Sequence, residues 1–217
     1  MKVIVNNISL FYETTGSGAP LILLHGNGED HHIFDKIVLK LKNDFTVYAI
    51  DSRNHGQSDN TEDYSYDTMV KDTYEFIRAL KLGNVNIAGF SDGAIIALFL
   101  AMKHDIVKKM ALLGINLKPS DFTEESYAFV KETYEETKDP LFKMMLEQPN
   151  IELNDVKSIN VPALIIAAEN DIFKPETFTD LRDAMPIAVL TIMAGHEHDS
   201  YIVNNDMLYE DFAGFFK

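Results

Sequence analysis

The sequence predicts an α/β domain built on a mainly parallel sheet. Short β-branched runs alternate with longer stretches of helical periodicity, the mark of strand–helix–strand units. The 217 residues suit one domain with a small insertion rather than two full domains. The composition, 46% hydrophobic and 24% charged, is that of an ordinary globular chain and excludes wholesale disorder or a fibrous repeat.

The elements follow in order. Lys2–Val5 and Ser9–Thr14 read as two strands joined at Asn6-Asn7 in a hairpin. After a turn at Gly16-Ser17-Gly18, Pro20–Leu24 is a buried strand that ends in His25-Gly26. Phe34, Ile37, Val38 and Leu41 recur at helical spacing. Phe45–Ile50 is a strand, followed by a polar loop, Asp51–Asp63. Met69–Leu80 is helical, Asn84–Ala88 a strand, Gly93–Met102 an apolar helix and Val107–Leu113 a strand. The alternation then breaks. Residues 116–158 are acidic and helical in pattern, and the next strand is Val161–Ala168. The expected organisation is a core of residues 1–115 and 159–217, with 116–158 as a small helical insertion over one end of the sheet. Pro175–Ala184 is a helix, Ile187–Met193 a strand and Asp206–Phe216 a closing helix. The total is about eight strands flanked by helices.

Charge and cysteine content narrow the function classes. There are 34 acidic and 19 basic side chains, a formal net charge of −15. Such a chain repels phosphate backbones and anionic lipid, which argues against nucleic-acid and membrane-surface roles. With no cysteine there is no disulfide, no thiolate metal site and no cysteine nucleophile. No apolar run approaches the roughly 20 residues of a spanning helix, and Met1-Lys2-Val3-Ile4-Val5-Asn6 carries no signal-peptide pattern. The expectation is a soluble cytoplasmic protein, a monomer or homodimer, acting on a small molecule.

The sharpest chemical signal is Gly89-Phe90-Ser91-Asp92-Gly93, placed where a buried strand meets an apolar helix. That context is what a G-x-S-x-G nucleophile elbow requires. The turn is tight enough to demand small residues two before and two after the serine, and it raises the hydroxyl above the sheet at a helix N-terminus. A serine hydroxyl needs a base, and the base needs an orienting carboxylate. In this arrangement they follow in the order Ser, Asp or Glu, His. Asp171, in Ala168-Glu169-Asn170-Asp171 after a strand, is the preferred carboxylate, with Glu169 as its rival. The base lies in Gly195-His196-Glu197-His198. The Gly-His pair favours His196, whereas the distance to the closing helix favours His198, which is preferred. The oxyanion donors are expected to be the backbone N–H groups of Asp92, next to the nucleophile, and Asn27, in His25-Gly26-Asn27-Gly28. His25 itself reads as structural.

These motifs, with Asp51-Ser52-Arg53-Asn54-His55-Gly56-Gln57-Ser58, resemble the α/β-hydrolase superfamily over essentially the whole chain. In that family's D-x-R-G-x-G-x-S motif, Asn54 here replaces the first glycine, and asparagine also tolerates left-handed angles. The resemblance implies that this loop is structural and that aligning Gly195-His196-Glu197 with the family's G-x-G places the base at His198. It further implies acyl transfer to Ser91 followed by hydrolysis, with a carboxylic ester or related acyl compound as substrate and no metal or organic cofactor. The insertion, shorter than in many relatives, implies a shallow or open pocket, with Phe90, Phe122 and Met145 as candidate lining residues. Three alternatives stand beside this reading. The same triad could act on another bond, by amide or peptide cleavage, C–C hydrolysis or perhydrolysis. The chain could be a small-molecule receptor on the same fold. Glu29-Asp30-His31-His32 or His196-Glu197-His198-Asp199 could hold a metal, although neither has the spacing of a common zinc site.

Overall fold

Alternation of side chains along the central strands dictates the layering. In Leu21-Ile22-Leu23-Leu24, Leu21 and Leu23 point to one face of the sheet, Ile22 and Leu24 to the other, and all four are buried. A sheet apolar on both faces must be covered on both. The structure, a computed structural model describing Met1–Lys217, does so with helices on either side.

The eight strands are β1 (Lys2–Val5), β2 (Ile8–Gly16), β3 (Ala19–Leu24), β4 (Phe45–Ile50), β5 (Val85–Phe90), β6 (Val107–Leu113), β7 (Ala163–Asn170) and β8 (Ala188–Glu197). Their order in the sheet is β1-β2-β4-β3-β5-β6-β7-β8. β1 and β2 pair antiparallel, as does β2 with β4, and every later pairing is parallel. On one face, α2 (Tyr66–Ala79), α3 (Asp92–Lys103) and α7 (Pro175–Ala184) pack in the larger core cluster. On the other, α1 (Asp35–Leu41) and α8 (Tyr209–Phe216) close the smaller one through Ile37, Leu41, Phe212 and Phe216.

Several boundaries differ from the sequence reading for local reasons. The helix expected from Phe34 starts as a single 3-10 turn, His31–Phe34, capped by Asp30, whose carboxylate accepts the His32 N–H; α1 proper begins at Asp35. α2 starts at Tyr66 rather than Met69 because Ser65 caps it. β7 and β8 outrun their apolar stretches, since Asn170 still pairs with Glu197 after a register shift. The closing helix starts at Tyr209, and residues 199–208 are mostly turns.

Residues 116–158 contain α4 (Glu124–Thr137), α5 (Pro140–Glu147) and the short α6 (Leu153–Val156). The strands on either side of this segment pair directly, Met110 with Ala163, so it is inserted between neighbours of the sheet. Its first turn is fastened to the loop after β7: the Thr123 N–H donates to the Ile172 carbonyl and the Lys174 N–H to that of Asp121. No helix is long and apolar enough to cross a membrane.

The loop after β4 is held by ionic and polar ties. Arg53 donates to both carboxylate oxygens of buried Asp72, at 2.6 and 2.8 Å. Asp51, fully buried, accepts from the backbone N–H groups of His31 and Gln57. Asn54 adopts φ +65°, the left-handed conformation expected of it, and its carboxamide ties Thr61 and Asp63. Replacing Arg53 by Ala leaves Asp72 buried and short of its countercharge. The expected cost is ~3–5 kcal/mol, read as a lower urea midpoint. A midpoint within error of wild type would show that the pair contributes little.

Candidate active site

The site is organised at the end of β5. Ser91 has φ +51° and ψ −114°, a strained conformation for any residue with a side chain, of a kind that costs roughly 1–3 kcal/mol. It is fixed from both sides. The Ser91 N–H donates to the Leu113 carbonyl at the end of β6, and the Ser91 carbonyl accepts the first bonds of α3, from Ala94 and Ile95. The glycines of the motif are needed for clearance. A Cβ on Gly89 would lie 2.1 Å from the Gly93 carbonyl oxygen, and a Cβ on Gly93 would lie 2.1 Å from that of Leu24. Helix, strand and turn therefore meet with no room for a methyl group.

Asp171 and His198 meet across the loops after β7 and β8. His198 Nδ1 and Asp171 Oδ1 are 2.8 Å apart, and the Asp171 side chain is buried. The Ala168 N–H donates to Asp171 Oδ2 and the Phe173 N–H to Oδ1, which holds the carboxylate in one orientation. Because the carboxylate accepts from Nδ1–H, Nε2 is left with its lone pair. The His198 ring lies 4.9 Å from that of Phe90 and meets the Phe173 ring edge-on at 5.4 Å. Gly114 adjoins the ring from β6, in a left-handed conformation at φ +54°. A Cβ there would stand 2.6 Å from His198 Cε1. Sequence reasoning passed over Gly114, whose only signal was a glycine directly after a strand end.

The rival residues are engaged elsewhere. His196 Nδ1 pairs with Ser200 Oγ, and Glu169 accepts the Gly195 N–H. Ser91 and His198 share one cavity of about 740 Å³ with Gly26, Asn27 and Glu29. No direct hydrogen bond joins Ser91 Oγ to His198 in this structure. Phe90 and Met145 line this cavity, whereas Phe122, the third candidate lining residue, does not. It is buried against Phe173, 4.8 Å between ring centroids, because the first turn of the insertion tucks it beneath the Asp171 loop.

The early loop presents one free donor between two occupied ones. The Gly26 N–H donates to Glu29 Oε2 at 2.9 Å and the Gly28 N–H to His55 Nε2 at 3.1 Å. No protein acceptor takes the N–H of Asn27, nor that of Asp92, which opens α3 and has no carbonyl one turn earlier. Their side chains join the two: Asn27 Nδ2 donates to Asp92 Oδ2 at 3.1 Å, and the buried Tyr66 hydroxyl donates to Asp92 Oδ1 at 2.7 Å. His25 is structural, as its position implied. It is 1% exposed, and burial lowers its pKa to about 4, so it stays neutral; its Nε2 accepts the Ser52 N–H. His25 and His55 thus stitch this loop to the one after β4.

Among the metal candidates of the sequence, Asp30, His31 and His32 bring one ligand atom each within 4.8 Å of one another. The same side chains already serve the fold: Asp30 caps the 3-10 turn, His31 Nδ1 pairs with Asp51 and His32 Nδ1 with Asp35. Glu29, their neighbour in the chain, faces the Ser91 cavity instead.

Comparison with known proteins places this architecture. Solved structures overlay on the whole chain at 20% identity and a TM-score of 0.83. They include a meta-cleavage product hydrolase from Pseudomonas fluorescens IP01, of which 97% is covered, and the enol-lactonase from Burkholderia xenovorans LB400, of which 99% is covered. The human Serine hydrolase BPHL is 29% identical over 214 residues, covering 82% of this chain and 72% of that protein. The AB hydrolase superfamily protein YisY of Bacillus subtilis (strain 168) is 40% identical over 112 residues, which are 50% of this chain and 42% of that protein's length. Residues 19–140, from β3 through the elbow into the insertion, match the family model described as alpha/beta hydrolase fold. On that match and on the sheet order, the chain belongs to the α/β-hydrolase family.

Proposed function

We propose that this chain is a serine hydrolase that cleaves a small carboxylic ester, or a related activated acyl compound, through an acyl-enzyme on Ser91. The observation that carries the reading is the 2.8 Å bond between His198 and Asp171 in the cavity that also holds the strained Ser91. It leaves His198 Nε2 as the proton acceptor beside the only nucleophile at the elbow. The missing Ser91–His198 hydrogen bond is compatible with this, since catalytic contacts often tighten only with substrate present.

In this mechanism, His198 Nε2 removes the Ser91 proton as Oγ bonds to the substrate carbonyl carbon. The N–H groups of Asn27 and Asp92 receive the oxyanion; each such donor is worth roughly 10²–10³-fold in rate. Collapse breaks the bond to the leaving alcohol, which takes the proton from His198. Water then attacks the acyl carbon with His198 again as base, and Ser91 is released. Asp171, bonded to Nδ1–H, stabilises the imidazolium as it forms. The cavity has Phe90, Met145 and Ile172 as its apolar lining, which favours a small, partly polar acyl compound over a long aliphatic chain. The relatives support the class: the human protein is named a serine hydrolase, and the Burkholderia structure is a lactonase. The soluble, small-molecule role expected from the −15 charge is part of the same proposal.

A fluorophosphonate probe should label Ser91 stoichiometrically, as located by mass spectrometry. Ser91→Ala should lose the adduct and at least ~10⁴-fold in kcat while keeping its thermal midpoint. An adduct on another residue, or a wild-type rate in the variant, would overturn the assignment. His198→Ala should cost ~10⁴-fold in kcat and His196→Ala less than about tenfold; the reverse ranking would move the base to His196. Gly114→Ala should lower kcat by ~10²-fold with a smaller change in KM, because the added methyl displaces the imidazole rather than the substrate. An unchanged kcat would mean that the ring yields without cost.

A further inference from the structure

The active cavity has a marked charge asymmetry. Beside the proposed triad, its lining includes Glu29, Glu125, Glu197 and Asp199, and neither lysine nor arginine. An acidic chain would supply some of these by composition alone. Glu29 is different in kind. It is half-buried on the loop that carries Asn27, and one of its oxygens, Oε2, accepts the Gly26 N–H. A Cβ placed on Gly26 would lie 2.8 Å from that oxygen and 3.1 Å from Ser91 Cβ, so the carboxylate stands close to the nucleophile. Its other oxygen, Oε1, has no hydrogen-bond partner in the protein. Nothing in the acyl-transfer scheme uses this side chain.

We propose that Glu29 sets the substrate class of the site: the cleft takes acyl compounds that carry a cationic group a few carbons from the reacting carbonyl, and rejects those that carry a free carboxylate there. The inference rests on the acyl-transfer reading of Ser91. Two physical arguments support it. An ionised Glu29 is incompletely solvated, and burial lifts its pKa from 4.5 to about 7, so a bound cation replaces hydration that the cleft has removed. An anion on the oxyanion loop also opposes the negative charge that forms on the substrate oxygen. A cation on the substrate offsets it, and that benefit grows in the transition state. A substrate carboxylate would meet Glu29, Glu125, Glu197 and Asp199 with no countercharge in the cavity wall.

The test is a matched set of nitrophenyl esters: hexanoate, the monoester of adipic acid, and a hexanoyl chain ending in trimethylammonium. A second set places the same charges on the alcohol. In at least one set, kcat/KM should fall from cation to neutral to anion by at least tenfold overall, and added salt should shrink the spread. Glu29→Gln keeps an acceptor for the Gly26 N–H and removes the charge, so the cation-to-anion ratio measured on that variant should fall several-fold. Rates within threefold across both sets, or the anionic ester turned over best, would overturn the proposal while leaving Ser91 catalysis standing. Should no ester be turned over and Ser91 resist the fluorophosphonate, the acyl-transfer reading fails by itself. Calorimetric binding of the same esters to Ser91→Ala then decides the charge preference, and equal affinities would end it. Should Glu29→Gln fail to fold, the wild-type cation-to-anion ratio is followed with salt instead: a ratio that shrinks supports the proposal, and one that does not move overturns it.

Discussion

The crossing of β5, α3 and β3 at the elbow is the constraint on which the rest of the molecule depends. Three backbones approach so closely that Gly89 and Gly93 cannot carry a side chain, and Ser91 is forced to positive φ between them. Strain of this kind persists only where the surroundings over-determine it. Here the Leu113 carbonyl and the first turn of α3 hold Ser91, and the end of β3 closes against Gly93 two residues on. The buried central strands, with β3 and β6 on either side of β5, hold the turn in place. The core is in this sense the scaffold for one unfavourable backbone conformation.

The remaining site groups are attached to that point by short polar links rather than by packing alone. His25 and His55 each use one ring nitrogen to accept a loop N–H, which joins the loop after β3 to the loop after β4. Occupying the N–H groups of Gly26 and Gly28 leaves Asn27 as the available donor, and the Asn27–Asp92–Tyr66 chain ties that donor to the one on α3. A satisfied buried network of this type fixes geometry more tightly than apolar contact, because breaking any member leaves a buried polar group unpaired.

How much of this was legible in the sequence follows from the range of the interactions. The elbow, the strand alternation and the Asn54 turn are local: a few residues and their steric limits determine them, so the sequence carries them openly. Asp171 could be placed because a strand end leads directly into it. The sequence separates His198 from His196 only by distance to the closing helix and by the resemblance, since both lie on one loop; in the structure His196 turns to Ser200 and His198 to Asp171. Phe122 was misplaced because its destination is set by the bonds of Thr123 and Lys174 across the insertion, contacts that no periodicity encodes. For the same reason the sequence reading passes over Gly114 and takes Glu29 only as a candidate metal ligand. Each acquires its role from a partner distant in the chain or folded back onto it, His198 in one case and the Gly26–Ser91 corner in the other.

The insertion shows how such long-range contacts divide labour. Its first turn is hydrogen-bonded to the Asp171 loop and drives Phe122 against Phe173, whose edge in turn meets His198. Farther along, Met145 reaches the cavity itself, and the Leu141 carbonyl accepts a second, longer bond from Asn27 Nδ2. One segment is therefore bonded to the Asp171 loop, reaches His198 through Phe173, and touches the Asn27 loop. A change in the insertion bears on the cavity wall at Met145 and, through Phe173, on the setting of His198. Phe173 and Asn27 are the residues through which the segment is linked to His198 and to Asp92, so residues 116–158 do not pack as an independent module.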